Sequence, residues 1–92
     1  MRVELSLLFE ETLFNILEYI ENESPHASIR FEEALLEHLE NLIHFPYKFR
    51  KSIYHDDEHI RDYIFMGYTI PYLVDEKNDM IVVLDIFKWV EK

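Results

Sequence analysis

The chain opens on alternating polar and apolar residues, Arg2-Val3-Glu4-Leu5-Ser6, the period of two that a half-buried strand requires. Over residues 8–23 the period lengthens. Phe9, Leu13, Ile16, Leu17 and Ile20 recur at helical spacing, with Glu10, Glu11, Glu18 and Glu21 on the other faces, so this stretch predicts an amphipathic helix. Ser24-Pro25 then reads as a break, because a serine hydroxyl caps orphan N–H groups and proline suits the first helical position, where no donor is needed. A second helix follows. Its stripe is Phe31, Ala34, Leu35, His38, Leu39 and Leu42, and it ends before Phe45-Pro46, since proline biases the residue before it out of the helical region. The two helices are expected to form a hairpin.

Beyond Pro46 the vocabulary turns β-branched and aromatic. Residues 53–54, 60–66, 68–74 and 80–89 are strand candidates, the last three convincing ones. Gly67 supplies the backbone freedom of a tight hairpin, and the polar run 75–79 supplies a longer turn, which together predict an antiparallel meander. The last strand begins with a continuous apolar run, so both of its faces are expected to be covered. Pro71 has no N–H and must sit at a bulge or aim its nitrogen away from a ladder partner. The order β-α-α-β-β-β gives an α+β fold, a helical hairpin packed on a mainly antiparallel sheet.

Ninety-two residues support one modest core, so a single domain over residues 1–92 is expected. One Gly and three Pro leave little linker vocabulary, and nearly the whole chain is expected to be ordered. The absence of cysteine rules out disulfides and thiolate chemistry. The first eleven residues lack the basic and uninterrupted apolar regions of a signal peptide, and no apolar run reaches the length of a membrane span. A soluble cytoplasmic protein, not bound to membranes, is the expectation. Nineteen acidic against nine basic residues give a formal net charge of −10, which disfavours autonomous DNA binding. The charge is also uneven: residues 1–45 hold ten acidic and two basic side chains, and residues 46–92 hold nine and seven. Any positive site therefore belongs to the sheet half.

Within that half, Phe45-Pro46-Tyr47-Lys48-Phe49-Arg50-Lys51 mixes cations and aromatics in a way that suits a phosphate or a stacked base. The competing reading makes Phe45 and Phe49 core anchors and leaves Lys48, Arg50 and Lys51 to helix-end carbonyls and nearby glutamates. Arg61, Lys88 and Trp89 lie at strand ends that antiparallel pairing could bring to the same rim, the alternative being that Arg61 pairs with Asp57, Asp62 or Asp85. His55-Asp56-Asp57-Glu58-His59 fits the letters of H-x-x-E-H, but zinc chemistry needs that stretch on a helix with a third ligand, so a solvated turn is expected. His38 is assigned to core packing. The helix glutamates show no paired-carboxylate geometry, no serine has a nucleophile elbow, and no glycine-rich loop cradles phosphates. No cofactor is called for.

Several phrases in this order resemble the RelE/ParE superfamily of toxins from bacterial type II toxin-antitoxin modules. They are the opening Val3-Glu4-Leu5-Ser6, the Ser24-Pro25 break followed by Ala27 and Phe31, the helix end Phe45-Pro46, the run Ile60-Arg61-Asp62-Tyr63-Ile64-Phe65-Met66-Gly67-Tyr68-Thr69-Ile70-Pro71-Tyr72, and residues 81–87 as the closing strand. The resemblance implies a small toxin neutralised by a cognate antitoxin that wraps its surface. RelE-like members cleave messenger RNA on the ribosome, and ParE-like members poison DNA gyrase. Arg61 matches the family's arginine before the hairpin, and Lys88 lies where the family often carries His, Arg or Tyr. Thr69 stands where many members have arginine, Phe87 falls near where several carry histidine, and Lys92 ends the sequence without a basic or tyrosine-bearing tail. A ribonuclease must move a 2′-OH proton and stabilise phosphorane charge. The thin supply of such groups favours the ParE-like, protein-targeting branch over a ribosome-dependent ribonuclease or a non-toxic interaction domain that keeps the fold.

Overall fold

A computed structural model describes residues 1–88, and Trp89 lies outside them. Strand β1 (Arg2–Leu5) leads into helix α1 (Leu7–Glu23), helix α2 (Pro25–Glu40) and a 3₁₀ turn (Asn41–His44); then come β2 (Ile60–Phe65), β3 (Tyr68–Asp75), β4 (Met80–Val83) and β5 (Phe87–Lys88). The order in the sheet is β1-β4-β3-β2, with β1 parallel to β4 and β3 antiparallel to β2, β4 and β5. Helical hairpin and mainly antiparallel sheet both stand as the residue pattern predicts. Among the described residues no helix is long and apolar enough to cross a membrane.

Two serines make the corners. Ser6 closes the strand by donating its N–H to the Val83 carbonyl at 3.0 Å, and its Oγ then accepts from the Phe9 N–H at 3.1 Å as the N-cap of α1. Ser24 alone joins the helices. Its N–H donates to the Ile20 carbonyl at 2.9 Å, ending α1, and its Oγ accepts from the Ala27 N–H at 3.2 Å, starting α2 with Pro25 in the first turn. A one-residue link folds α2 straight back along α1. Ser28 sits buried in their contact, where its hydroxyl donates to the Leu17 carbonyl at 3.0 Å.

The helices cover one face of the sheet. Phe9 and Leu13 from α1, Leu35 and Leu39 from α2, and Leu42 meet Phe65, Ile70, Tyr72, Val74, Ile81 and Val83, all buried. Phe31 closes one end of this core with its ring edge-on to Phe65 and Tyr68, at centroid distances of 5.4 and 5.6 Å. The hairpin between β2 and β3 turns on two residues with positive φ, Met66 at 49° and Gly67 at 85°. Only the second is glycine, so Met66 carries the backbone strain of a primed turn.

Three strand expectations change. Residues 53–54 belong to irregular chain, not to a strand. The closing strand is broken into β4 and β5 across Leu84-Asp85-Ile86, because Pro71 faces that side of β3: its carbonyl accepts from the Leu84 N–H at 2.9 Å, and it has no N–H to hold the next rung. Proline thus does sit at a ladder break, and that break interrupts the neighbouring strand. Finally, β4 alternates, with Ile81 and Val83 buried under the helices and Met80 and Val82 half-buried on the far face, so the helix pair covers one side only.

Leu35→Ala is expected to lower stability by about 3 kcal/mol through lost burial and a residual cavity. Ser24→Ala is expected to cost about 1 kcal/mol through its lost cap. Urea unfolding of the two variants checks both, and equal losses would show that the hairpin corner, not the core, limits stability.

Candidate functional site

Residues 45–59 run from the 3₁₀ turn to β2 without regular structure and carry three of the sheet half's cations. The segment starts on the helix side of the sheet, where the buried Tyr72 donates its hydroxyl to the Pro46 carbonyl at 2.6 Å. It then passes the outer edge of β2. There Lys51 bridges to Arg61, the Asp62 N–H donates to the Arg50 carbonyl at 3.1 Å, and the Ser52 N–H donates to the Ile60 carbonyl at 2.8 Å. Pairing this edge protects it from stray strands. The segment reaches the opposite face at Ile53, whose N–H donates to Oδ2 of Asp62 at 3.3 Å, before Glu58 returns to Arg61.

Two neighbouring residues of β2 hold this path, one from each face, because successive strand side chains point to opposite sides. Arg61 shares the helix-side face with Tyr63 and Phe65. Its Nε donates to the Glu58 carbonyl at 3.1 Å and its Nη1 to the Phe49 carbonyl at 3.2 Å, while its guanidinium lies 4.9 Å from the Tyr47 ring centroid. Asp62 is buried on the other face, 3.8 Å from Nη2 of Arg50. Arg61 therefore bonds carbonyls, rather than Asp57, Asp62 or Asp85.

Above this framework lies a cleft of about 440 Å³ lined by His38, Asn41, Leu42, His44, Phe45, Lys48, Phe49 and Tyr63. His44, Phe45 and Lys48 carry it on into a shallower depression of about 650 Å³ beside Pro46 and Tyr47. No lining residue is acidic, in a chain with nineteen acidic side chains. Phe45 is 70% exposed, which removes it from the core-anchor reading, whereas Phe49 packs edge-on to Tyr63 at 4.9 Å and does serve the core. Lys48 Nζ stands 5.6 Å from the Phe49 centroid. The Tyr63 hydroxyl lies within hydrogen-bonding distance of Nδ1 of His38, at 2.7 Å, and burial raises its phenol above the ordinary value.

His38 is thus an exposed rim residue, not a core one. Its ring touches Phe65 at 5.3 Å, but at 3.6 residues per turn position 38 sits about 60° off the line of Leu35, Leu39 and Leu42. That offset was the signal. Tyr63 gave none, since an aromatic in a strand is ordinary core material.

Lys51 bridges to Arg61 at the edge of β2, with its Nζ 3.8 Å from Asp56, whereas the Arg50 guanidinium turns to Asp62 on the opposite face and Lys48 stands at the cleft. Lys88 does not join them. It pairs with Tyr68, four residues along β3 from the Tyr72 that faces Arg61 and on the other side of that strand, which puts it about 13 Å away along the strand direction alone. Its surroundings are Thr12, Tyr19 and Phe87, beside α1. Trp89 is outside the described residues. Residues 55–59 form bends and a turn in which Asp57 Oδ1 accepts from the His59 N–H at 2.8 Å, so the two histidines are not arrayed on a helix as H-x-x-E-H chemistry requires.

Arg61→Ala is expected to release residues 47–59 and cost about 1–3 kcal/mol, because carbonyls inside the fold lose charged donors. Amide exchange should quicken there and stay slow in α2; Arg61→Lys should rescue little, lacking the guanidinium fork. A second expectation concerns alkaline pH. Desolvation, then the 2.7 Å hydrogen bond to Glu76 and that carboxylate's charge, push the Tyr47 phenol up to about 12, and burial raises Tyr72 as well. Both phenols hold their protons more tightly folded than at the ordinary value of 10.0, so their contribution is complete below that pH and is lost as pH rises through the folded values. The urea midpoint should fall from about pH 10 to 12, and Tyr47→Phe should flatten part of that fall.

Comparison with curated proteins finds no match. A family model described as the ParE toxin of the type II toxin-antitoxin system parDE matches residues 3–88. That span runs from β1 through β5 and includes the whole segment pinned by Arg61 and Asp62. On these grounds the chain belongs to the ParE family of type II toxins.

Proposed function

We propose that this toxin acts by binding a protein target, DNA gyrase, through the cleft formed by the 3₁₀ turn, residues 45–49 and Tyr63, and that a cognate antitoxin holds it inactive. The observation that carries this reading is the use made of Arg61. A ribonuclease needs a cation free to face the charge of a pentacoordinate phosphate, and this guanidinium gives its Nε and Nη1 donors to Glu58 and Phe49 and its face to Tyr47. What remains exposed is an aromatic side chain, Phe45, beside Lys48. An aromatic anchor flanked by a cation is suited to a protein partner, where a few such side chains carry most of the binding energy. The net charge of −10 also works against approach to ribosomal RNA.

Inducible expression tests the reading. Growth should stop, purified chain should inhibit gyrase supercoiling, and co-expression of the adjacent gene's product should restore growth. Phe45→Ser with Lys48→Ala should weaken inhibition about tenfold or more with an unchanged urea midpoint, since neither side chain braces the fold. Cleavage of ribosome-bound message by the wild type, with gyrase unaffected, would overturn the proposal in favour of the ribonuclease. Antitoxin binding without growth arrest would mark an interaction domain instead.

A further inference from the structure

The 3₁₀ turn hands the chain to a second turn that places an aromatic ring and a cation at the same opening. The Lys48 N–H donates to the Phe45 carbonyl at 3.1 Å, so residues 45–48 fold back on themselves, and the side chains at both ends of this turn line the 440 Å³ cleft. Both are exposed. Leu42, Phe49 and Tyr63 add apolar surface to the lining, and the imidazoles of His38 and His44 add polar atoms. Among the described residues Lys48 makes no ion pair, and its ammonium stands 5.6 Å from the Phe49 ring centroid. Glu37 and Glu40, the carboxylates nearest in sequence, line neither this cleft nor the depression beside it.

We propose that this cleft docks a short acidic segment of the target protein, with a bulky apolar side chain seated against Phe45 and an adjacent Asp or Glu paired to Lys48. The proposal rests on the reading that the target binds here, and it names the chemistry of the segment that does so. Charge complementarity decides the occupant. In a chain with nineteen acidic residues, a cleft that offers an unpaired ammonium and no carboxylate favours a negative side chain over a positive one. A nucleic acid is negative too, but its affinity is built from many phosphate contacts, and one lysine does not offset the repulsion between a polyanion and a chain of net charge −10. A short acidic segment brings one or two charges into contact with Lys48, while carboxylates outside the lining act through salt solution, which screens them beyond about 8 Å. A second copy of this chain would bring the whole net charge against its like.

The test uses the full chain, two labelled peptides, one of Trp, Gly and Glu and one of Trp, Gly and Lys, and a labelled thymidine oligonucleotide, with binding read by fluorescence anisotropy. The Trp/Glu peptide should bind about tenfold or more tighter than the other two probes. Phe45→Ser keeps the net charge and should weaken that binding about tenfold. Lys48→Glu should reverse the preference between the peptides, whereas Lys88→Glu makes the same change of charge outside the cleft and should leave it standing. All three changes fall on side chains at the surface, and an unchanged urea midpoint confirms that the fold is kept. Equal losses in the Lys48→Glu and Lys88→Glu variants would mean diffuse attraction and overturn the proposal. So would tighter binding of the Trp/Lys peptide or the oligonucleotide, or concentration-dependent self-association abolished by Phe45→Ser. Gyrase inhibition is read separately: a chain that inhibits gyrase through Phe45 and Lys48 but ignores the Trp/Glu peptide sinks the acidic segment and leaves the target reading standing, and the opposite result does the reverse.

Discussion

The single residue between the helices constrains the rest of this fold. Because Ser24 ends one helix with its N–H and begins the next with its hydroxyl, α2 must return along α1, and the two apolar stripes reach the sheet as one surface. That surface is wide enough to cover Ile70, Tyr72 and Val74 of β3 and Ile81 and Val83 of β4. A longer link would let the helices splay. The close contact it enforces also leaves a shallow groove on the outside, floored where Ser28 meets Leu17.

The second constraint is the alternation of strand β2. Arg61 and Asp62 are adjacent in sequence and opposite in direction, so one strand grips a fifteen-residue irregular segment from both sides. Long structureless connections are uncommon in compact domains and are often functional where they occur. Two of this connection's carbonyls, at Phe49 and Glu58, and two of its N–H groups, at Ile53 and His59, are held by charged side chains. The same grip commits Nε and Nη1 of Arg61 to backbone carbonyls and leaves Phe45 and Lys48 facing outward.

Charge divides the molecule in a corresponding way. The helices carry nine glutamates against one arginine, and the cleft beside residues 45–49 has no carboxylate in its lining. A protein with two such faces can engage two partners of different character at once.

The fold itself was legible in the residues because it rests on local rules: a period of two, a period of 3.6, the Ser24-Pro25 break and the Gly67 turn each act over a few positions. So was the gathering of seven of the nine Lys and Arg residues in the second half of the chain. Contacts across the chain were not. That Lys88 stands away from Arg61 depends on which side of β3 each strand adds to, and no spacing in the sequence encodes that choice. Arg61 looked like a free cation because the carbonyls it serves belong to backbone, which carries no residue-specific mark. Likewise Pro71 announced a break in a ladder, but only the assembled sheet decided that the break would fall opposite Leu84 and split the last strand in two. Side-chain pattern is written residue by residue; partner choice is settled only when distant backbone is brought within hydrogen-bonding reach.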